Sequence, residues 1–109
     1  MYRIVKSFEF SASHSVRFGG WDEPMHGHNW KVSVYCESRS LDADGMVVNF
    51  LDIEHDVRDF LDHSCLNDIL PFNPTTENLA EWICKKIPHC YKVVVRECEG
   101  NVAEYEADR

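Results

Sequence analysis

With 109 residues, 19 acidic against 11 basic side chains and a formal net charge of −8, the chain fits one modest α+β domain, 1–109, of the wrong charge sign for a phosphate backbone. No run approaches the roughly 20 apolar residues of a membrane span, so neither nucleic acid nor a membrane is an expected partner. Five cysteines (Cys36, Cys65, Cys84, Cys90, Cys98) make an odd count without CxxC pairs, which argues against an exported disulfide scaffold and for structural thiols, several of them buried.

Met1 to Lys6 alternates like a strand and lacks the long apolar core of a signal peptide, so a cytoplasmic location is expected. The alternation continues from residue 3 to 14. Ile4, Phe8, Phe10 and Ala12 form an apolar even face, with Lys6 as its exception, and the odd positions Ser7, Glu9, Ser11 and Ser13 are polar. His14 closes the apolar face. Residues 15–25 break the pattern with Gly19, Gly20 and Pro24, as a loop does. A second strand is expected over 26–37, where His26 and His28 begin an apolar face continued by Trp30, Val32, Val34 and Cys36.

Ser38 to Gly45 has turn chemistry. Phe50, Ile53, Val57, Phe60 and Leu61 fall near helical spacing and predict an amphipathic helix over about 50–61. After a loop through Asp62, His63 and Cys65, Asn73-Pro74-Thr75-Thr76-Glu77 reads as a helix start. Leu79, Trp82, Ile83 and Ile87 supply the second helix with its stripe, and Pro88 ends it. Tyr91 to Cys98 and Val102 to Ala107 are two strands joined at Gly100-Asn101. The order β-β-α-α-β-β implies a four-stranded antiparallel sheet covered on one face by two helices.

On a strand, His26 and His28 point the same way; on a helix they would diverge by about 200°. If the first two strands pair through the loop, His14 converges on them. Three imidazoles with an open fourth position suit a metal ion, zinc above all, in a catalytic rather than a structural role. The alternative, three unrelated histidines on a buried face, is disfavoured because unpartnered buried imidazoles are costly.

Phe8-Glu9-Phe10-Ser11-Ala12-Ser13-His14 followed by His26-Gly27-His28-Asn29-Trp30 resembles the 6-pyruvoyltetrahydropterin synthase and 6-carboxytetrahydropterin synthase family. Leu61 to Asn67, Asn73 to Leu79 and Val95-Arg96-Glu97 are similar to it as well, in order along nearly the whole chain. The resemblance implies a T-fold (tunnelling fold) subunit, assembly into a homo-oligomer, typically a hexamer with interfacial active sites, and a small-molecule pterin as partner. It makes His14, His26 and His28 the Zn2+ ligands, Asp62 and His63 a carboxylate-backed proton shuttle, Glu97 the anchor of the pterin N–H groups, and Thr75 and Thr76 part of that pocket. Glu97 shares a strand face with Tyr91, Val93 and Val95, in keeping with an anchor; helix capping explains the threonines equally well.

The chain departs from that family in the loop, where most members carry a catalytic cysteine and Ser15 to Met25 has none. Ser13, Ser15 and Asp22 do not replace it directly. Glu23 is the obvious substitute, because one branch of the family uses a glutamate there to cleave dihydroneopterin compounds to 6-hydroxymethyl-dihydropterin. Cys65 is a remoter alternative. Three functions follow: 6-carboxytetrahydropterin synthase-like chemistry on dihydroneopterin triphosphate or dihydroneopterin, side-chain cleavage with Glu23 as base, or zinc and pterin binding without catalysis. Candidates for phosphate are few, Arg17 and Arg96.

Overall fold

In the computed structural model, which describes residues 1–108, the alternating segment becomes one long strand, β1 (Tyr2–His14). Its loop contains a miniature hairpin, β2 (Arg17–Phe18) and β3 (Trp21–Asp22), and returns as β4 (His26–Ser38). β1 and β4 pair antiparallel without a break, from Tyr2 opposite Ser38 to His14 opposite His26. Gly19 and Gly20 turn the small hairpin at φ of 59° and 76°, values glycine adopts without the Cβ penalty.

The sheet adds β5 (Ser64–Cys65) at one edge and β6 (Cys90–Cys98) and β7 (Asn101–Glu106) at the other, in the order β5-β1-β4-β6-β7. The four long strands are antiparallel as expected; β5 is an unforeseen parallel partner of β1. Two residues show no periodicity, so its only cause is tertiary. It and the preceding residues occupy the β1 edge, where His63 N–H donates to Ser11 O at 2.6 Å, closing part of an edge that would otherwise stand open. The β6–β7 turn is Glu99-Gly100 rather than Gly100-Asn101, with Gly100 at φ 92° and Asn101 already in β7.

The first predicted helix runs from 50 to 61 but changes winding. α1 (Phe50–Ile53) passes into a π-helical turn, Glu54–Arg58, and then α2 (Asp59–Leu61). Ile53, Val57 and Leu61, four residues apart, are buried, whereas Phe50 and Phe60, assigned to the same stripe from spacing, are each 46% exposed. The wider π turn keeps a four-residue repeat facing the sheet and swings those two rings outward. Phe60 stacks on Trp82, centroids 5.7 Å apart, at the rim. Lys6, the misfit of the apolar face of β1, finds its partner in the π turn: Nζ lies 2.6 Å from Glu54 Oε1.

A short α3 (Leu66–Ile69) precedes α4 (Thr76–Lys86). Thr75 caps α4 by accepting from Asn78 N–H at 3.0 Å, with Glu77 in the first turn and Lys85 and Lys86 in the last, as the helix dipole favours. Leu79, Ala80, Ile83 and Cys84 of α4 pack with Phe8, Phe10, Trp30, Val32, Val34, Val93 and Val95 of the sheet. All five cysteines are free, and burial, with neighbouring Cys90, pushes the Cys84 thiol up to about 12. Among the described residues no helix is long and apolar enough to cross a membrane. The other face of the sheet bears Ser7, Glu9, Lys31, Ser33 and Arg96 around an open depression of about 550 Å³.

Leu79, fully buried between α4 and the sheet, supplies a test of this packing. Leu79→Ala is expected to cost about 2–5 kcal/mol in urea unfolding; a loss below about 1 kcal/mol would place Leu79 outside the core.

Candidate metal centre and active site

Register makes the cluster. His14 lies directly across from His26, and His28, two residues further along β4, lies across from Ala12, so all three rings share the apolar face. Their centroids are 4.7 Å (His14–His26), 5.2 Å (His14–His28) and 4.7 Å (His26–His28) apart. Trp30 forms the floor, 4.8 Å from His14 and 5.3 Å from His28, and is fixed by donating Nε1–H to Ala12 O at 3.1 Å.

Two backbone carbonyls set the tautomers. His14 Nδ1 is 2.9 Å from Pro74 O and His26 Nδ1 is 2.8 Å from Pro24 O; a carbonyl only accepts, so each Nδ1 carries the proton and each Nε2 keeps a lone pair. Nothing in the sequence signals backbone acceptors of this kind. His14 is 1% exposed, and Nε2 of both His14 and His28 is buried without a hydrogen-bond partner. Desolvation is the largest cause of the lowered His28 pKa, which favours the neutral imidazole. Orphaned nitrogen lone pairs that converge on one point are costly unless a ligand takes them.

A carboxylate completes the group. Glu97 follows Val93 and Val95 along the apolar face, and its oxygens lie 3.3 Å from His28 Nε2 and 3.8 Å from His14 Nε2. Ligand atoms of His14, His26, His28 and Glu97 all fall within 4.8 Å of one another. Three imidazole nitrogens and a carboxylate fit a divalent transition-metal ion. Glu97, assigned to the pterin from sequence, thus also belongs to the histidine cluster. Thr76 Oγ1 donates to Glu97 Oε2 at 2.9 Å, and both line a depression of about 470 Å³ with Asn101 and Glu104. Of the two threonines, Thr76 reaches this site, whereas Thr75 caps α4.

Glu23 comes back to the same cluster from the loop. Its Oε1 accepts from Val16 N–H at 3.0 Å and lies 3.8 Å from His26 Nε2. Its competitors are engaged elsewhere: Ser15 Oγ donates to Glu23 O at 2.5 Å, and Asp22 binds Arg17 at 2.8 and 3.1 Å. Cys65 Sγ lies 3.8 Å from Met25 Sδ and pairs across from Ser13, outside the cluster. The two phosphate candidates do not face the histidines either, since Arg17 is held by Asp22 and Arg96 opens onto the polar face of the sheet.

Asp62 and His63 pair as expected, Nδ1 to Oδ2 at 2.9 Å. Ser11 N–H donates to Asp62 Oδ1 at 2.8 Å; that bond first, and the His63 bond in addition, holds the Asp62 carboxyl below its usual pKa. His63 stands at φ 59°, 83% exposed. It lines a depression of about 410 Å³ with Ser11, Ala12, Ser13, Gly27, His28 and Asn29 of β1 and β4. His63 is therefore exposed beside β1 and β4 and stands outside the group formed by the three imidazoles and Glu97.

A family model described as 6-pyruvoyl tetrahydropterin synthase matches residues 3–108. The chain is similar to a dihydroneopterin monophosphate aldolase of Pyrococcus furiosus, 39% identical over 88 residues, covering 78% of this chain and 74% of that protein. It is similar also to the 6-pyruvoyl tetrahydrobiopterin synthase of Homo sapiens, 30% identical over 133 aligned positions, covering 97% of this chain and 92% of that protein. The solved structure of Caenorhabditis elegans 6-pyruvoyl tetrahydropterin synthase shares the fold, with a TM-score of 0.76 at 22% identity over 98% of this chain and 96% of that one.

Two measurements test this geometry. Titration of the metal-free protein with a divalent ion should saturate at about one per chain, and His14→Ala or His28→Ala should abolish tight binding; retained stoichiometry in either variant would refute the cluster. For Asp62, the folded pKa is depressed, so its contribution to stability is complete above the unfolded value of about 3.9 and is lost as pH falls through the folded pKa. Wild type should thus exceed Asp62→Asn in thermal stability at neutral pH, and the gap should close only as pH falls through the depressed folded pKa of Asp62. A pH-independent gap would mean that the charge contributes nothing.

Proposed function

The chain belongs to the 6-pyruvoyl tetrahydropterin synthase family, and from that premise we propose that it is a zinc-dependent lyase that cleaves the side chain of a 7,8-dihydroneopterin compound to leave the 6-hydroxymethyl pterin. The observation that supports this reading over synthase chemistry is Glu23. Its carboxylate reaches within 3.8 Å of His26 Nε2, from the loop in which the resemblance otherwise expects a cysteine. The likeness to a protein named as a dihydroneopterin monophosphate aldolase points the same way.

His14, His26 and His28 would hold the zinc, which when bound supplies a Lewis-acidic charge that lowers the pKa of a substrate hydroxyl. Glu97, held by Thr76, accepts from the N–H groups of the pterin ring. Glu23 takes the proton of the second side-chain hydroxyl. The bond between the first and second side-chain carbons then breaks: the second carbon leaves as an aldehyde, and the electron pair stays on the first carbon, conjugated with the ring. A proton delivered to that carbon completes the 6-hydroxymethyl group, so one proton leaves oxygen, one reaches carbon, and no oxidant is needed. His63, backed by Asp62, is the proton carrier. Because its ring is exposed and stands outside its own histidine cluster, it would serve the site of a neighbouring copy in a homo-oligomer.

Mass-spectrometric product analysis from dihydroneopterin, its monophosphate and its triphosphate tests the proposal. The expected product is 6-hydroxymethyl-dihydropterin, and Glu23→Ala should lower turnover by about 10²–10⁴-fold with zinc retained at about one per chain. A 6-carboxy product, or full turnover by Glu23→Ala, would sink this reading. Pterin binding without turnover of any of the three substrates would make the protein a binding member of the family.

A further inference from the structure

The loop that presents Glu23 is held on both of its edges. Ser15 gives its N–H to Asn67 Oδ1 at 2.9 Å and receives Asn67 Nδ2 on its carbonyl at 2.8 Å. Two residues on, Arg17 gives its N–H to Asn73 Oδ1 at 2.9 Å and receives Asn73 Nδ2 on its carbonyl at 2.8 Å. Each side-chain amide thereby does what a residue of a neighbouring strand does, donating to and accepting from one backbone residue. Val16, between them, faces the other way: its N–H holds Glu23 Oε1 at 3.0 Å and its carbonyl accepts Glu23 N–H at 3.1 Å. Residues 15–17 thus run between Asn67 and Asn73 on one edge and Glu23 on the other.

Burial does not explain the asparagines, since both are exposed and water could satisfy each amide. They are anchored independently of the loop. Asn67 stands in the first turn of α3, beside buried Leu66, and the Asn73 carbonyl is fixed by Thr75 N–H at 2.8 Å and Asn78 Nδ2 at 3.0 Å. We propose that Asn67 and Asn73 are positioning residues for the reaction: they clamp residues 15–17 to the helical layer and so place the Glu23 carboxylate against the histidine cluster. The proposal rests on the reading of Glu23 as the base. A shift of residues 15–17 moves Val16 N–H, the carboxylate moves with it, and a displacement of about 1 Å suffices for a loss near 10²-fold.

The test combines kinetics of the zinc-loaded enzyme with amide hydrogen exchange. Asn67→Ala and Asn73→Ala should each lower kcat about tenfold, with KM within about twofold and metal content unchanged, while amides 15–17 exchange faster. Asn67→Asp, which keeps the acceptor and loses the donor, should fall between wild type and Asn67→Ala. In a Glu23→Ala background the asparagine substitutions should cost nothing further, because both routes remove the same group. An equal fold-loss in both backgrounds, or unchanged exchange at 15–17, overturns the proposal. Full turnover by Glu23→Ala removes the base and this inference together; a crippled Glu23→Ala beside asparagine variants at wild-type kcat removes this inference alone.

Discussion

The register between β1 and β4 is the constraint on which the site depends. Side chains alternate across a sheet with period two, so a slip of one residue would turn His26 and His28 to the polar face and leave His14 alone among apolar side chains. The register is fixed far beyond the histidines, by 13 consecutive pairs and by the Phe10–Trp30 stack, its rings nearly parallel with centroids 5.9 Å apart. Both rings are buried beneath the helices, and a slipped pairing would expose one of them. The apolar core thereby enforces the geometry of a polar cluster at its end.

That cluster is built to be incomplete by itself. Proline carbonyls hold two of the rings in one tautomer, burial lowers the His28 pKa, and two buried Nε2 atoms have no hydrogen-bond partner. A folded core tolerates such orphaned groups where a ligand supplies the missing contact, which is the physical basis for assigning a metal to them. Glu97 and Glu23 approach from opposite directions, one along β6 and the other from the loop. Between them they bring two carboxylates to the histidine cluster, oriented by Thr76 Oγ1 and by Val16 N–H respectively.

The proposed chemistry is divided between the histidine cluster and the β1 edge. The histidines look toward the helical layer, whereas His63 looks outward from the β1 edge, held there by Asp62 and Ser11 in a left-handed backbone conformation. Such a conformation costs a non-glycine residue free energy and persists only where its surroundings enforce it. Here two bonds to Ser11, through Asp62 Oδ1 and His63 N–H, do so. The same two bonds therefore close part of a sheet edge and hold an exposed imidazole there.

Periodicity carried the long elements: the even faces of β1 and β4, the capped start of α4 and the β6–β7 hairpin are consequences of apolar spacing and turn chemistry, which are local. The same spacing places His14, His26 and His28 on one face, since strand pairing needs no more than parity and a loop. Parity could not see the π turn that sends Phe50 and Phe60 outward, the two-residue β5, or the side of the sheet on which His63 emerges. Nor could it separate Thr75, a cap, from Thr76, a partner of Glu97, or bring Glu97 into the histidine cluster. These depend on contacts between residues distant in sequence, often through backbone N–H and carbonyl groups that every residue shares. By itself the sequence determined that three imidazoles would meet. Tertiary packing alone decided which carboxylates meet them, because that is set by where a loop and a strand end are pinned.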